Sequence, residues 1–474
     1  MPDAHDPTSL RQRHPLAPAV ARRNAIARDW DLQRGAVLIP AGLPLPIDGT
    51  DQFHDFHAHA EHSYLTGLQH DGGVLAFDPH DGWVLFAQQL SVEEQVWTNA
   101  SEALATQAGR SGIDRVRGRD ELTAWLEARR GEPLAIAGND DIQHRPAEYG
   151  IPNWLALELN VDGELSARIR ESIAVARRSK DDHELDYMRA AAAASIAGHE
   201  AGLRLARAGQ TERELQIEIE AEFFRAGGDR TAYGSIVGGG GNASVLHFAP
   251  SDRAFQSGDM ILVDAGAEIE GYASDITRTY PVDRHFTSEQ RAIYELVHLT
   301  QANAIAAAKP GVEYKDLHLA AALDIATGLV DLDILRGDPQ TLVDTDTHAL
   351  FFPHGLGHML GLATHDAGGC LAGREPSNRF GLGYLRADLP LRPGYVVTIE
   401  PGIYFIRALL TDPARRDQYR DAVNWERVDA MLDFGGIRIE DDVLVTETGV
   451  SLLSAALRRG VDDMEQLRQE ALDA

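Results

Sequence analysis

The stretch that most constrains this chain is a pair of apolar segments, each carrying one aspartate. Ile261-Leu262-Val263-Asp264-Ala265-Gly266-Ala267-Glu268 and Tyr272-Ala273-Ser274-Asp275-Ile276-Thr277-Arg278-Thr279-Tyr280 alternate as strands do, and Glu270-Gly271 sits where a hairpin would turn. With a loop of two or four residues, Asp264 and Asp275 share one face, directly or diagonally opposite. Two carboxylates facing each other in an apolar strand pair do not both stay ionised without a cation. The hairpin therefore predicts either part of a metal site or one structural and one turn-proximal aspartate. The rest of the chain has to supply further ligands if the first reading holds.

At 474 residues the chain is too long for one ordinary core, so two domains, or one large domain with insertions, are expected. A formal net charge of −29 argues against a nucleic-acid partner and against an anionic membrane surface. The single cysteine, Cys370, excludes an internal disulfide and fits a reducing compartment. The first residues mix charges and prolines and have no signal-peptide core, and no apolar run approaches the ~20 residues that span a bilayer. The expected location is cytoplasmic.

Residues 1–15 read as a disordered leader. Ala17 to Leu32 has helical spacing, and Gly35–Pro40 reads as a buried strand. Four histidines (His54, His57, His59 and His62) follow, with nothing to fix them as a metal tract. Gly73–Asp78 and Trp83–Ala87 form a strand pair, helices are expected near Glu93–Gln107 and Leu122–Arg130, and a strand at Pro133–Ala137. This predicts a smaller α/β domain over residues 1–175. From there the pattern turns to long amphipathic helices, Asp181–Ala208 and then a helix to Arg225 that starts at a Thr211/Glu214 capping box. Further helices at Ser288–Lys309 and Tyr314–Leu329, with strands reaching Leu453, predict an α+β domain over residues 176–474.

Gly238-Gly239-Gly240-Gly241-Asn242-Ala243 fits G-x-G-x-x-A, but a strand over Ser244–Phe248 is expected where a dinucleotide site needs a helix, which rejects that site. Three downstream segments qualify as partners for the aspartates. Phe352-Pro353-His354-Gly355-Leu356-Gly357-His358 reads as a loop carrying two histidines. Val396-Val397-Thr398-Ile399-Glu400-Pro401-Gly402 ends a strand on a glutamate. In Phe434-Gly435-Gly436-Ile437-Arg438-Ile439-Glu440-Asp441-Asp442, Arg438 and Glu440 share one face while Ile437 and Ile439 face the core. Arg438 has an alternative, a surface pair with Asp441 or Asp442.

Taken in order, V-D-A-G, S-D-I-T-R-T-Y, H-G-L-G-H, T-I-E-P-G-I-Y and G-I-R-I-E-D-D resemble the pita-bread metallopeptidases that cleave next to proline. The resemblance covers roughly residues 175–455 and implies an α+β catalytic domain of the pita-bread (creatinase/aminopeptidase) fold behind the N-terminal α/β domain. It implies a dinuclear site whose ligands fall on Asp264, Asp275, His358, Glu400 and Glu440. Four carboxylates and one imidazole suit two divalent ions, Mn2+ first, with Co2+ or Zn2+ able to substitute. Two such ions can share and activate a water. By the same resemblance His247 lies near the leaving proline, His365 stabilises the oxyanion or binds substrate, and His354 and Arg438 support the metal centre. Tyr233 joins His247, His365 and Arg386 as a substrate-binding residue. The implied partners are small proline-containing peptides and a second copy of the chain.

Within the family, two branches compete. Arg386, in Tyr384-Leu385-Arg386-Ala387-Asp388, aligns with the prolidase arginine that clamps the carboxylate of a dipeptide, and the insertion after Glu400 is prolidase-like as well. These features put Xaa-Pro dipeptidase first. The short stretch from His247 to Asp264 and the tail Thr446-Glu447-Thr448-Gly449 resemble aminopeptidase P, the alternative, which acts on longer peptides. An organophosphate hydrolase activity and a non-catalytic binding protein are the remaining readings, and all five filled ligand positions weigh against the latter.

Overall fold

The computed structural model describes residues 17–97, 103, 106, 109 and 111–473, so the expected leader lies outside it. The chain divides into two compact units between Arg177 and Arg178. In the first, β1 (Ala36–Pro40), β2 (Val74–Asp78), β3 (Gly82–Ala87), β4 (Val116–Gly118), β5 (Pro133–Ile136) and β6 (Asn160–Val161) form one mixed sheet in the order β4-β3-β2-β1-β5-β6. Every residue of β1 and β2 is buried, as continuous apolar runs require. Asp78 Oδ1 accepts hydrogen bonds from His80 N (2.7 Å) and Asp81 N (2.8 Å), which shapes the turn between β2 and β3.

One expectation in this unit needs correction. The helix expected over Glu93–Gln107 is seen as Glu94–Trp97, and residues 98–102, 104–105 and 107 lie outside the described set. The four histidines differ in setting, in keeping with the absence of any pattern that would fix them as a metal tract. His54 and His57 are exposed, whereas His62 is buried in the helix Ala60–Thr66. Among the described residues, the group of donors with metal-like spacing is in the second unit.

That unit opens with the helix Asp182–Leu205, capped by Asp181, followed by Glu212–Arg225. The second starts at the expected capping box: Glu214 N donates to Thr211 Oγ1 (3.1 Å) and Thr211 N to Glu214 Oε2 (2.8 Å). Helices Ser288–Ala307 and Tyr314–Asp331 complete the outer layer. Inside lie short antiparallel strands: β7 (Arg230–Thr231), β8 (Ile236–Gly239), β9 (Met260–Asp264), β10 (Ala267–Ile269), β11 (Tyr272–Ala273) and β12 (Thr277–Pro281). They are followed by β13 (Gly369–Cys370), β14 (Ala387–Asp388), β15 (Val396–Ile399), β16 (Gly402–Tyr404), β17 (Gly436–Arg438), β18 (Asp441–Val445) and β19 (Val450–Leu452). The strand expected over Ser244–Phe248 does not form. Gly240 takes a φ of +54°, the chain curls into a single turn over Gly240–Ser244, and Val245 N bonds back to Asn242 O, so no edge is left to extend.

The hairpin has a two-residue turn at Glu270 (φ +51°) and Gly271 (φ +85°), and its pairing runs from Ile269↔Tyr272 to Thr277↔Asp264 without slipping. Asp275 is therefore diagonal to Asp264. The two long strands of the sequence reading are each interrupted, however. β9 and β12 belong to the sheet β12-β9-β8, and β10 and β11 to the sheet β11-β10-β7. The hairpin passes from one sheet to the other at the two aspartates.

The helix Asp182–Leu205 props this crossing from behind. Ser195 Oγ accepts from Ala267 N (2.8 Å), and His199 Nε2 donates to Ala265 O (2.9 Å), one turn apart on the helix and on either side of Gly266. Ile261 and Val263 bury into the core against this helix layer, while Leu262 packs on the opposite side with Tyr404. A side chain at Gly266 would run into Ser274 O. Gly266→Ala is expected to cost about 3 kcal/mol, the upper part of the range for overpacking, read as a lower denaturation midpoint in urea.

Candidate active site

The face of the hairpin that carries the aspartates is met by the end of β15, the strand run β17–β18 and the loop before β13, which carries His358. Thr277 pairs with Glu440, and Glu440 N donates to Thr277 O at 3.1 Å, so the hairpin and the Arg438–Asp442 segment are laced together at the site. Asp275, His358 and Glu440 present donor atoms all within 4.8 Å of one another. His358 Nε2 lies 3.3 Å from Asp275 Oδ2 and 3.8 Å from Glu400 Oε1. Asp264 joins through Tyr233, whose hydroxyl is 2.6 Å from Asp264 Oδ1 and 2.5 Å from Asp275 Oδ1. The structure thus brings together all five residues singled out as ligand candidates. Tyr233 also belongs here, with its hydroxyl engaged by the two aspartates.

The electrostatics are those of a site built for cations. Burial raises the carboxyl of Glu400 to about 7, and burial together with Asp275 and Glu400 holds Glu440 well above the usual range. Asp264 is also raised, by burial first, against the pull of Arg438. For Asp275 burial acts upward but is outweighed by the hydrogen bond and charge of His358, so it lies below the ordinary value. His358 mirrors this: burial lowers it, yet Asp275 and then Glu400 bring it to about 9. Arg438 and a protonated His358 offset part of the four carboxylates' charge, and the raised values of Asp264, Glu400 and Glu440 report how unfavourable it is to ionise them all together. The Tyr233 hydroxyl also has one proton to offer to two carboxylates. Hard, oxygen-rich donors with a single imidazole fit divalent cations.

Behind the donors runs a directed hydrogen-bond chain. Arg438 reaches Asp264 through Nη2 and donates through Nη1 to the Tyr404 hydroxyl at 2.7 Å. Tyr404 donates to His354 Nε2 (2.9 Å), and His354 Nδ1 donates to Gly355 O (2.8 Å), which sets the tautomer of that ring. Arg438 Nε donates to Thr277 Oγ1 (3.1 Å), and Thr277 in turn donates to Glu440 Oε2 (2.7 Å). The alternative surface pairing of Arg438 is thereby ruled out. Asp441 bonds Arg278 (2.8 Å) instead, and Asp442 accepts from Ser274 Oγ (2.8 Å) and Asp275 N (3.1 Å).

Tyr404, Thr277 and Asp442 were missed as site residues in the sequence. A signal for Tyr404 was present in the alternation of Gly402-Ile403-Tyr404 against Gly436-Ile437-Arg438. β16 and β17 pair Gly402 with Arg438 and Tyr404 with Gly436, and the Tyr404 ring lies over both glycines. Thr277 and Asp442 give no such signal, because their partners lie far away in the chain.

The substrate candidates line the approach. His365 packs edge-on against His358, with ring centroids 4.4 Å apart, and its ring is lowered to about 4 by burial, His358 and Arg386. His247 is exposed on the loop after Gly240–Ser244 and close enough to act electrostatically on both His354 and His365. Arg386 is exposed beside β14.

The model for metallopeptidase family M24 matches residues 186–447, and that for the aminopeptidase P N-terminal domain matches residues 19–133. A probable Xaa-Pro aminopeptidase of Podospora anserina is 34% identical over 429 residues, covering 89% of this chain and 90% of its own. The Xaa-Pro dipeptidase of Homo sapiens is 35% identical over 401 residues, covering 83% and 80%. Among solved structures, the aminopeptidase PepP of Pseudomonas aeruginosa superposes with a TM-score of 0.81 at 30% identity, covering 98% of this chain and 100% of that one. A zinc-substituted Escherichia coli aminopeptidase P in complex with product gives 0.79 at 27% identity, covering 96% and 98%. The pita-bread fold with its aminopeptidase-type N-terminal domain follows, and the chain belongs to metallopeptidase family M24.

Proposed function

We propose that this protein is a metal-dependent Xaa-Pro aminopeptidase, which releases the N-terminal residue of peptides whose second residue is proline. The observation that carries the chemistry is the convergence of four carboxylates and one imidazole on a buried hairpin face. The choice of branch rests on relatives named aminopeptidases that match along nearly the whole chain. It replaces the dipeptidase reading that the motifs around Arg386 put first. In this reading Asp264, Asp275, His358, Glu400 and Glu440 hold two divalent ions, with Mn2+ preferred by the oxygen-rich set. Bound there, such ions supply an activated water and polarise the scissile carbonyl.

The protein's own residues do the rest. Arg438 and Thr277 fix the carboxylates of Asp264 and Glu440, so that neither can swing to another partner. Tyr404 ties Arg438 to His354, which locks both side chains in one orientation. His365 offers a ring N–H toward the developing oxyanion, and His247 closes the side of the leaving proline. A bond before proline has no amide hydrogen, so the site needs no acceptor for one.

Arg386 supports a second reading. A guanidinium free to reach the approach would bind the carboxylate of a dipeptide and favour Xaa-Pro dipeptidase action. The two readings separate on substrate length. The aminopeptidase reading expects Ala-Pro-Xaa tripeptides to be cleaved with a higher kcat/KM than Ala-Pro, and the opposite ranking would return the assignment to the dipeptidase. On dipeptides Arg386→Ala is expected to raise KM while leaving kcat on tripeptides near wild type.

Two measurements test the metal assignment. Purified protein is expected to carry or require divalent metal, and Asp264→Asn to lose metal-dependent hydrolysis with the fold intact by circular dichroism; an active Asp264→Asn enzyme would refute it. Tyr404→Phe keeps the ring but cuts the chain from Arg438 to His354, and a loss of about 10- to 100-fold in activity is expected, measured as kcat.

A further inference from the structure

The loop that carries His365 is held by a device outside the donor set. Asp366, the next residue, lies 2.8 Å from Lys180 Nζ, and both side chains are only 1% exposed. A buried ammonium and carboxylate persist together because each compensates the other; alone, either would be strongly unfavourable. The pair packs over Gly361, where a side chain would run into both partners. Gly361 O accepts from Ala273 N (2.9 Å), which places the ion pair against the last residue of β11, two residues before Asp275.

Lys180 is itself fixed by its neighbours. Lys180 N donates to Gly394 O (2.8 Å), Ser179 bridges to Tyr395, and Ser179 Oγ donates to Pro393 O (3.2 Å). Arg178 Nε donates to Ala367 O (3.0 Å) and Nη2 to Gly368 O (3.2 Å). Three consecutive residues thus grip the segments on both sides of the approach. The loop closes on itself through Asp366 N to Met359 O (2.9 Å), and Gly369 N bonds Arg386 O (2.8 Å). The same grip therefore sets His365 beside His358 and continues to the strand next to Arg386.

We infer that Lys180, through its buried ion pair with Asp366, is the positioning residue that sets His365 against the reacting peptide carbonyl. Neither side chain touches the substrate. Their effect is to remove the freedom of the 361–369 loop, so that His365 is in place before the carbonyl becomes an oxyanion. The role given to His365 rests on the peptidase reading above; the fixing of the loop does not.

Lys180→Met and Asp366→Asn are the single variants, Lys180→Met/Asp366→Asn removes both charges, and Lys180→Arg keeps the cation. The expected result in each single variant is a drop in kcat on Ala-Pro-Xaa of about tenfold or more, with KM and the calorimetric Mn2+ dissociation constant within about threefold of wild type. Hydrogen exchange should speed up over residues 361–369, and at Ala273, whose N–H is bonded to Gly361 O, and stay unchanged over the rest of the hairpin 260–281. Lys180→Arg should keep most of the activity, and the double variant should lose less than the two singles combined. Wild-type kcat in Lys180→Met, or exchange rising equally in loop and hairpin, would overturn the inference. If a single variant does not fold, the double variant and Lys180→Arg decide by the same exchange pattern. A wild-type protein inactive on proline peptides would sink the peptidase reading, and the loop-fixing role would still stand or fall on exchange.

Discussion

Everything around the site answers one electrostatic problem, the burial of several carboxylates on one face of an apolar hairpin. Asp264 and Asp275 sit where the hairpin leaves one sheet for another, and Glu400 and Glu440 arrive from strand ends at the same point. In a medium that screens charge poorly, like charges so close are tolerated only with strong compensation. Arg438 offsets part of the charge and His358 another part. A metal ion bound there would compensate the remaining charge, as befits a member of a metallopeptidase family.

A second layer keeps those carboxylates from solving the problem by moving. Arg278 is fully buried and donates to Thr277 O (2.9 Å), Glu440 O (2.7 Å) and Asp441 Oδ1 (2.8 Å). Asp442 accepts from the backbone of Asp275, and Gln301 reaches Asp441 at 2.9 Å. Arg278 and Asp442 tie the hairpin to the Arg438–Asp442 segment behind the donors, and Gln301 ties that segment to the helix Ser288–Ala307. Buried hydrogen bonds of this kind hold their partners rigidly because breaking one leaves a polar group without water. The helix Asp182–Leu205 adds its support through Ser195 and His199, on either side of the residue where the hairpin changes sheets.

Much of this was legible in the chain because it depends on local pattern. The strand alternation placed Asp264 and Asp275 on one face, Thr211 and Glu214 marked a helix start, and Ile437-Arg438-Ile439-Glu440 told core from site. The failures have physical causes too. The apolar run Val245-Leu246 reads as a strand, but Gly240 turns the backbone away and leaves it no partner. The long strands of the hairpin read as continuous, yet the crossing between sheets divides them, and no periodicity reports a change of neighbour. The branch within the family is a matter no local pattern decides: the motifs near Arg386 favour a dipeptidase, whereas relatives named aminopeptidases match along nearly the whole chain.

The sequence by itself determined which residues are charged and which face they occupy, because side-chain alternation and capping are properties of a few neighbouring residues. It therefore carried the donor types, the family and the anionic character of the site. Only the tertiary structure decided how those groups are held. The line from Asp264 through Arg438 and Tyr404 to His354, the lacing of Thr277 to Glu440, and the burial of Lys180 against Asp366 all join residues far apart in the chain. Such contacts exist once separate elements pack, and no local pattern encodes them.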